Sequence, residues 1–594
     1  MSEGIRDSLQ VVVFVQLNDL YHIDSLMDAT DPDSFVLPRV AAILNRLRLE
    51  YGEERVIFCL PGDFLNPSCL SRTHLSKQMI DVLNKMGLKV VTFGNHEFDF
   101  EKKGFNLSAL GDRIAESKFQ WLASNLKPSG VLGDRIKTEL QNCSGMMVLQ
   151  IAPDHVVILF GLLYKSSYAG VGEFDDPKLA LPQLIRKAID EVTRQFGDFK
   201  GARLTLVALT HQDVAADEAM AKAFPQIRLI MGGHDHEVMR KVMHDKDGSL
   251  IVKGLSNARS VRLNFVGWLP ANLAKRYQND AGGYDPDFLE LAAKSTLHDA
   301  MECALAPQKA LEGDQGSQVR EYIAGYQNQM FDPAGVVVHG FKDDGCVIVA
   351  TAMLDTTHPG FKAMAEADPA TETLIREWVG ESEEHKRFLC VAPVKLDTDD
   401  DSGRSGSTNF GNFVADLFAG RQGLGGAGRP IADIGFVNGG SFRLDRKILS
   451  GERMTEATIC DLLFHDNDLR IFKLLGSMVS KIIEQALQHR RGGEFLQVSG
   501  LRITVHRTQR ATEDAVESIF IAAPNHAQVV LEHDRYYRVA TTSYVAKKSC
   551  YAGFFKSGAE ETIVAPSVRE MATEEIRANG LRIATDERRW ILPD

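Results

Sequence analysis

The sequence has no long hydrophobic run. Its longest apolar stretch, Val156 to Tyr164 (VVILFGLLY), is about half the length needed to span a bilayer, so no transmembrane helix is expected. Cysteine is sparse and scattered: eight in 594 residues, with no pair at CxxC spacing. That usage fits reduced thiols in a cytoplasmic protein and not a disulfide framework. Positive charge is in deficit, with 67 Lys and Arg against 80 Asp and Glu and a net charge of −13. A net negative field argues against binding polymeric nucleic acid or an anionic membrane. The N-terminal MSEGIRDSLQ has no signal-peptide pattern and the C-terminal RRWILPD no anchor signal, so a cytoplasmic location is expected. Internal repeats and long low-complexity tracts are absent too. What remains is the composition of a soluble globular protein, 44% hydrophobic and 25% charged, long enough for two to four domains.

The first 270 residues alternate strand-like and helix-like segments. Val11–Leu17, Val56–Leu60, Leu88–Phe93, Val156–Leu163, Leu204–Leu209 and Arg228–Met231 are short, β-branched and apolar. Leu37–Glu50, Thr73–Lys85, Pro182–Phe196 and Val214–Ala223 carry apolar residues at helical spacing. This alternation predicts an α/β fold with helices packed on buried sheets. Residues 270–345 are turn-rich and read as an insertion or peripheral subdomain. Pro369–His385 reads as one amphipathic helix, with Thr371 or Thr373 as its cap. The hydrophilic LDTDDDSGRSGS that follows reads as a solvated loop, and a second α/β pattern then runs to the C-terminus. The domain change is expected near residues 368–386.

Buried sheets present functional loops beyond the C-terminal ends of their strands. Five polar clusters occupy such positions: Asn18-Asp19-Leu20-Tyr21-His22, Gly62-Asp63, Gly94-Asn95-His96-Glu97-Phe98-Asp99, His211, and Gly232-Gly233-His234-Asp235-His236. Carboxylates, imidazoles and one amide oxygen suit two divalent ions about 4 Å apart, which can clamp a phosphoryl group and activate water for in-line attack. Asp63 suits a bridging role, each oxygen serving one ion. His234 and His236 would share a face of an extended segment. Glycines before Asp63, Asn95 and His234 would let the backbone turn sharply.

In this order the clusters resemble the calcineurin-like metallophosphoesterases, whose pattern is DxH, GD, GNHE, H, GHxH. GNHEFD is similar to the 5′-nucleotidase branch. The resemblance implies a layered αββα sandwich. It also implies two metal sites, one formed by Asp19, Asp63 and His236, the other by Asp63, Asn95, His211 and His234. The metals would be zinc, manganese, cobalt or iron. His96 would be the catalytic histidine, oriented by Asp99, although Asp99 could also be a helix N-cap. The family's DxH would place His at position 21, where this chain has Tyr21 followed by His22. Tyr21 as ligand, His22 reaching in, and water filling the site are the alternatives. In an extended segment position 21 shares the face of 19, which favours Tyr21.

The C-terminal part resembles the second domain of the same family. TNFGNFVADLF (Thr408–Phe418), Asn438-Gly439-Gly440-Ser441-Phe442-Arg443, QVSGLRI and YRVATTSYVA carry the resemblance. It implies a smaller α/β substrate-binding domain that grips the nucleotide and rotates about the linking helix. The expected organisation is residues 1–368, a linking helix at 369–385, and 386–594. NGGxxR offers backbone N–H groups freed by Gly439 and Gly440 and an arginine fork. By position, Arg404 and Arg443 match substrate-contacting arginines, Asn409 and Asn438 nearby polar contacts, and Phe464 and Tyr544 two rings that could sandwich a base. The family's GGDGY-like turn, whose Asp binds the nucleoside, is replaced by AKKSCYAGF, with two lysines and no Asp. That departure points to a more highly charged substrate or to a non-nucleotide phosphate.

The resemblance implies a di-metal hydrolase that releases phosphate from 5′-nucleotides through a metal-bound hydroxide. Rival readings are a 2′,3′-cyclic phosphodiesterase/3′-nucleotidase, a nucleotide-sugar or sugar-phosphate hydrolase, and a catalytically weak nucleotide-binding protein.

Overall fold

Strands that are apolar at every position need cover on both faces, and this requirement builds the first half of the molecule. The computed structural model describes residues 9–27, 34–101, 107–197, 204–243, 248–270, 274, 336–341, 345–358, 360–361, 366–421, 430–444, 446–507, 514–522, 528–585 and 587–593. The chain divides into two units: Met1–Asn66 with Leu70–Val379, and Pro67–Cys69 with Gly380–Asp594.

The first unit contains, among the described residues, an eight-stranded and a six-stranded sheet. In the larger one the strands Gln10–Gln16, Val56–Leu60 and Val90–Thr92 run parallel side by side. In the smaller one His155–Leu163, Leu204–His211 and Ile227–Gly232 do the same. Alternation along each strand sorts its side chains between two cores. Val11, Val13 and Val15 face helices Leu37–Tyr51 and Lys77–Lys85, while Val12 and Phe14 join Val157, Leu159, Val207 and Leu209 in a core shared by both sheets. Val156, Ile158 and Phe160 point the other way, onto helices Pro177–Phe196 and Val214–Ala223. The result is helix, sheet, sheet, helix: the αββα layering expected.

Several local expectations shift. Thr73–Lys85 is two helices, Cys69–His74 and Lys77–Lys85, because Leu75 and Ser76 lie in the left-handed region (φ 52° and 62°). The helix expected from Pro182 begins at Pro177 instead, capped by Asp176, and carries Pro182 inside it. Most of the 270–345 region lies outside the described residues. Its end, Val336–Phe341, is an edge strand of the larger sheet. Pro369–His385 is interrupted: Pro369–Glu381 is followed by Glu383–Lys386, whose cap is Ser382. Neither threonine caps the first helix. Asp368 does so, its carboxylate accepting the Thr371 N–H at 2.8 Å.

In the second unit a five-stranded sheet has Ile434–Asn438 and Tyr536–Thr542 at its centre. One face packs on helix Asn409–Phe418 and the other on helix Gly476–Gln488. The acidic run at 399–401 is not a solvated loop: Asp399 caps a short helix, Asp400–Ser405, that carries Arg404.

Candidate active site

The parallel strands of the two sheets of the first unit deliver their polar ends to one place. Asp63 is its centre. Its Oδ2 lies 3.1 Å from His211 Nε2 and 3.3 Å from the Tyr21 hydroxyl, while Oδ1 accepts the His96 N–H at 2.8 Å. Oδ2 therefore faces both neighbouring groups, and Oδ1 holds the backbone of the 94–99 loop.

On one side, Asp63, His211 and His234 bring ligand atoms within 4.8 Å of one another. His234 Nδ1 is 3.3 Å and Asn95 Oδ1 3.2 Å from His211 Nε2. On the other side, His236 Nε2 lies 2.9 Å from the Tyr21 hydroxyl and 3.6 Å from Asp19 Oδ1. Asp19 Oδ2 is buried with no hydrogen-bond partner among the described residues. An orphaned carboxylate oxygen beside a convergent nitrogen and oxygen donor set fits divalent cations. Tyr21 points into this group, whereas the His22 ring lies beside Asp24, at 3.9 Å. His96 Nε2 is 3.9 Å from Asp63 Oδ2, and its Nδ1 is 2.7 Å from Asp99 Oδ2. Asp99 lies within the short helix His96–Glu101, not ahead of it, so it pairs with the imidazole instead of capping.

Charge is unevenly held here. Burial would raise Asp63, but His211 and His96 keep its carboxyl below the usual range. Burial opposes the His211 imidazolium, yet the charge and hydrogen bond of Asp63 push it up to about 9. Burial and the neighbouring His211 lower His234 to about 4. Asp19 is raised by burial.

The backbone explains why these loops differ from their sequence reading. Asp19, Asp63, His234 and His236 all have positive φ (44°, 53°, 83° and 58°), so neither 19–21 nor 234–236 is a plain extended segment. Such conformations persist only where surroundings over-determine them. Of the three glycines, only Gly62 has positive φ (85°). Gly94 and Gly233 supply space: a Cβ at Gly94 would collide with Asp63 Oδ1, and one at Gly233 would lie 2.7 Å from the Pro61 carbonyl.

Two positioning residues escaped the sequence reading. Glu97, fully buried, accepts backbone N–H groups from Asp63 (2.8 Å), Phe64 (2.8 Å), Leu65 (3.1 Å) and Gly94 (2.6 Å), binding the Asp63 and Asn95 loops together. Burial and the charge of Asp63 raise it to about 7 against these donors. Its signal was an acid in the middle of GNHEFD. Lys253, also buried, donates to the carbonyls of Gln212 (2.6 Å) and Gly233 (2.9 Å) and pairs with Asp217 and Asp235, beneath both histidine loops. Its signal was a lone charge ending the apolar LIVK.

Comparison with known proteins bears on the same residues. Residues 12–238 match the calcineurin-like phosphoesterase model and 385–554 that of the 5′-nucleotidase C-terminal domain. The chain belongs to the calcineurin-like phosphoesterases that carry a 5′-nucleotidase C-terminal domain. Together the two matches indicate a metal-dependent phosphoester hydrolase. Among solved structures, this phosphoesterase resembles a 5′-nucleotidase precursor from Thermus thermophilus at TM-score 0.67 and 16% identity, over 98% of this chain and 99% of the other. It also resembles the sulfate thiohydrolase SoxB of the same organism at TM-score 0.61 and 14% identity, over 94% and 82%. Both likenesses concern the fold. A trifunctional nucleotide phosphoesterase protein, YfkN of Bacillus subtilis, is 26% identical over 224 residues, 37% of this chain. The chain spans only 15% of that relative's length.

The second unit gathers some of the expected substrate residues and not others. Gly440 N–H and Asn438 Nδ2 both donate to the Gly493 carbonyl, at 2.8 and 3.0 Å. Gly439 N–H reaches the Phe495 carbonyl, and the Arg404 carbonyl accepts the Arg491 N–H. Tyr544 donates to Glu494 at 2.9 Å. Asn438, Gly439, Gly440, Arg404 and Tyr544 are thus tied to one loop, 491–495. Arg443 N–H reaches the Leu462 carbonyl, two residues before Phe464. Asn409 stands apart: its amide donates to Lys395 O and accepts from Asp397 N–H, both structural contacts. Phe464 makes its ring contact with His465, and none joins it to Tyr544 among the described residues.

Proposed function

We propose that this phosphoesterase hydrolyses 5′-nucleotides to nucleoside and phosphate, using two divalent cations. The single observation that carries the reading is the convergence on Asp63 Oδ2 of two donor groups, with the His96–Asp99 pair beside it. Asp19, Tyr21, Asp63 and His236 would hold one cation, and Asp63, Asn95, His211 and His234 the other. When bound, the cations supply positive charge to the phosphoryl oxygens and acidity to an attacking water. With Nδ1–H committed to Asp99, His96 offers Nε2 to the leaving oxygen, and the carboxylate stabilises the imidazolium. Arg404, Asn438, Gly439, Gly440, Arg443, Phe464 and Tyr544 would take the nucleoside end, with Asn409 holding the helix start beside them.

The test is phosphate release from nucleotides after loading with manganese, cobalt or zinc, with Asp63→Ala as control. Metal-dependent turnover of 5′-monophosphates, abolished by the substitution together with most bound metal, is expected. Metal bound without turnover of any phosphate ester would overturn the reading.

A further inference from the structure

Gln10–Gln16, Val56–Leu60, Val90–Thr92, Leu204–His211 and Ile227–Gly232 are each followed by, or end in, one of the polar clusters. Their parallel companion His155–Leu163 is apolar from Val156 onwards and leads instead into Tyr164. Leu163 is paired with His211, and the Tyr164 N–H donates to the His211 carbonyl at 3.1 Å. The Tyr164 ring stands 5.6 Å from that of His234. Four residues on, Tyr168 stacks at 3.9 Å on Phe98, inside the short helix that carries His96 and Asp99. The two half-buried tyrosines thus reach from the His234 side of the site to the His96 side. Their hydroxyls share a hydrogen bond that lowers Tyr164 and raises Tyr168, so Tyr168 is the donor. The charges of Asp63, Asp213 and Asp99 all act on the Tyr164 hydroxyl, which therefore lies towards the site centre.

A phenol that accepts one hydrogen bond still has its own O–H to give. Burial pushes both phenols above their ordinary range, so Tyr164 is a neutral donor that adds no charge among the cation ligands. Phosphoryl transfer spreads negative charge over the three equatorial oxygens, and donors fixed in advance towards such charge stabilise the transition state. With His96 given to the leaving oxygen, a hydroxyl beside His234 is placed for an oxygen that stays on phosphorus. We propose that Tyr164 is a further catalytic residue, donating its hydroxyl to a non-bridging phosphoryl oxygen, with Tyr168 as the positioning residue that aims it. The Tyr164 hydroxyl keeps its proton throughout. This rests on the phosphoryl group lying beside Asp63 and His96, as in the reading above, and not on the nucleoside.

The experiment compares manganese-loaded wild type and Tyr164→Phe on AMP, phenyl phosphate and 2,4-dinitrophenyl phosphate, with orthovanadate as a five-coordinate mimic of the reacting phosphorus. Losing a donor to a charged oxygen predicts a fall of about ten- to a hundred-fold in kcat/KM. The fall should be the same for good and poor leaving groups, with vanadate inhibition weakened by a similar factor and bound metal unchanged. Tyr168→Phe keeps the donor but loses its aim, so it should show a smaller fall with the same indifference to the leaving group. Wild-type kinetics and vanadate inhibition in Tyr164→Phe would overturn the assignment. So would a loss confined to poor leaving groups, which would put the hydroxyl on the leaving oxygen, or a loss that follows bound metal. Wild-type kinetics in Tyr168→Phe would overturn its part. Turnover of the aryl esters with none of any nucleotide would remove the nucleotidase reading and leave this one standing.

Discussion

Tyr21 replaces an imidazole with a phenol at the one position where the metal-binding pattern is broken, yet its hydroxyl lies within 3.3 Å of both Asp63 and His236. Removing that hydroxyl in Tyr21→Phe should leave the fold intact and weaken cation binding on the Asp19 side about ten-fold or more, read as metal stoichiometry after dialysis. His96→Ala should leave cation binding unchanged and lose about 10²- to 10⁴-fold in kcat, the range of a removed general acid. Full activity in that variant would exclude His96 from the chemistry. Glu97→Ala would strand four backbone N–H groups and should cost about 3 kcal/mol or more, measured by denaturant unfolding. The donors themselves were legible because each polar cluster follows an apolar strand. Glu97 was not, since its partners are backbone groups that no side-chain pattern announces. The left-handed conformations of Asp19 and His236 were hidden for the same reason.

At the scale of elements, periodicity located strands and helices well where burial alone decides them, as in Val56–Leu60 and Val214–Ala223. It failed at Leu75 and Ser76, where the helix breaks at a leucine that carries no turn signal and restarts at a serine in the N-cap position. Leu75 is exposed and left-handed, so Leu75→Gly should relieve about 1 kcal/mol of backbone strain and raise the unfolding midpoint. A lower midpoint would mean that the leucine side chain contributes more than its conformation costs. Lys253 acts between elements, joining the ends of Leu204–His211 and Ile227–Gly232 through two carbonyls. Lys253→Met leaves Asp217 buried without its ammonium, a loss of about 3–5 kcal/mol. Metal affinity should fall with it, measured by titration calorimetry. Unchanged affinity would show that the histidine loops hold their shape unaided.

Over the whole molecule, each unit has its own hydrophobic core, and the candidate cation ligands all belong to the first. Chelation should therefore lower the melting temperature of the first unit and leave that of the second in place, since a bound cation stabilises only the fold that binds it. Calorimetric scans with and without chelator check this. A deeper consequence follows from where the donors come from. Asp19, Asp63 and Asn95 end strands of the larger sheet, and His211, His234 and His236 end strands of the smaller one. A cation held by both sets would act as a rivet through a laminate whose layers share an apolar core and are pinned at this edge by a few hydrogen bonds, such as Asn18 Nδ2 to the Gly232 carbonyl at 2.6 Å. Losing it should loosen the two sheets together along that edge, so amide exchange at the ends of Gln10–Gln16 and Leu204–His211 should quicken in step.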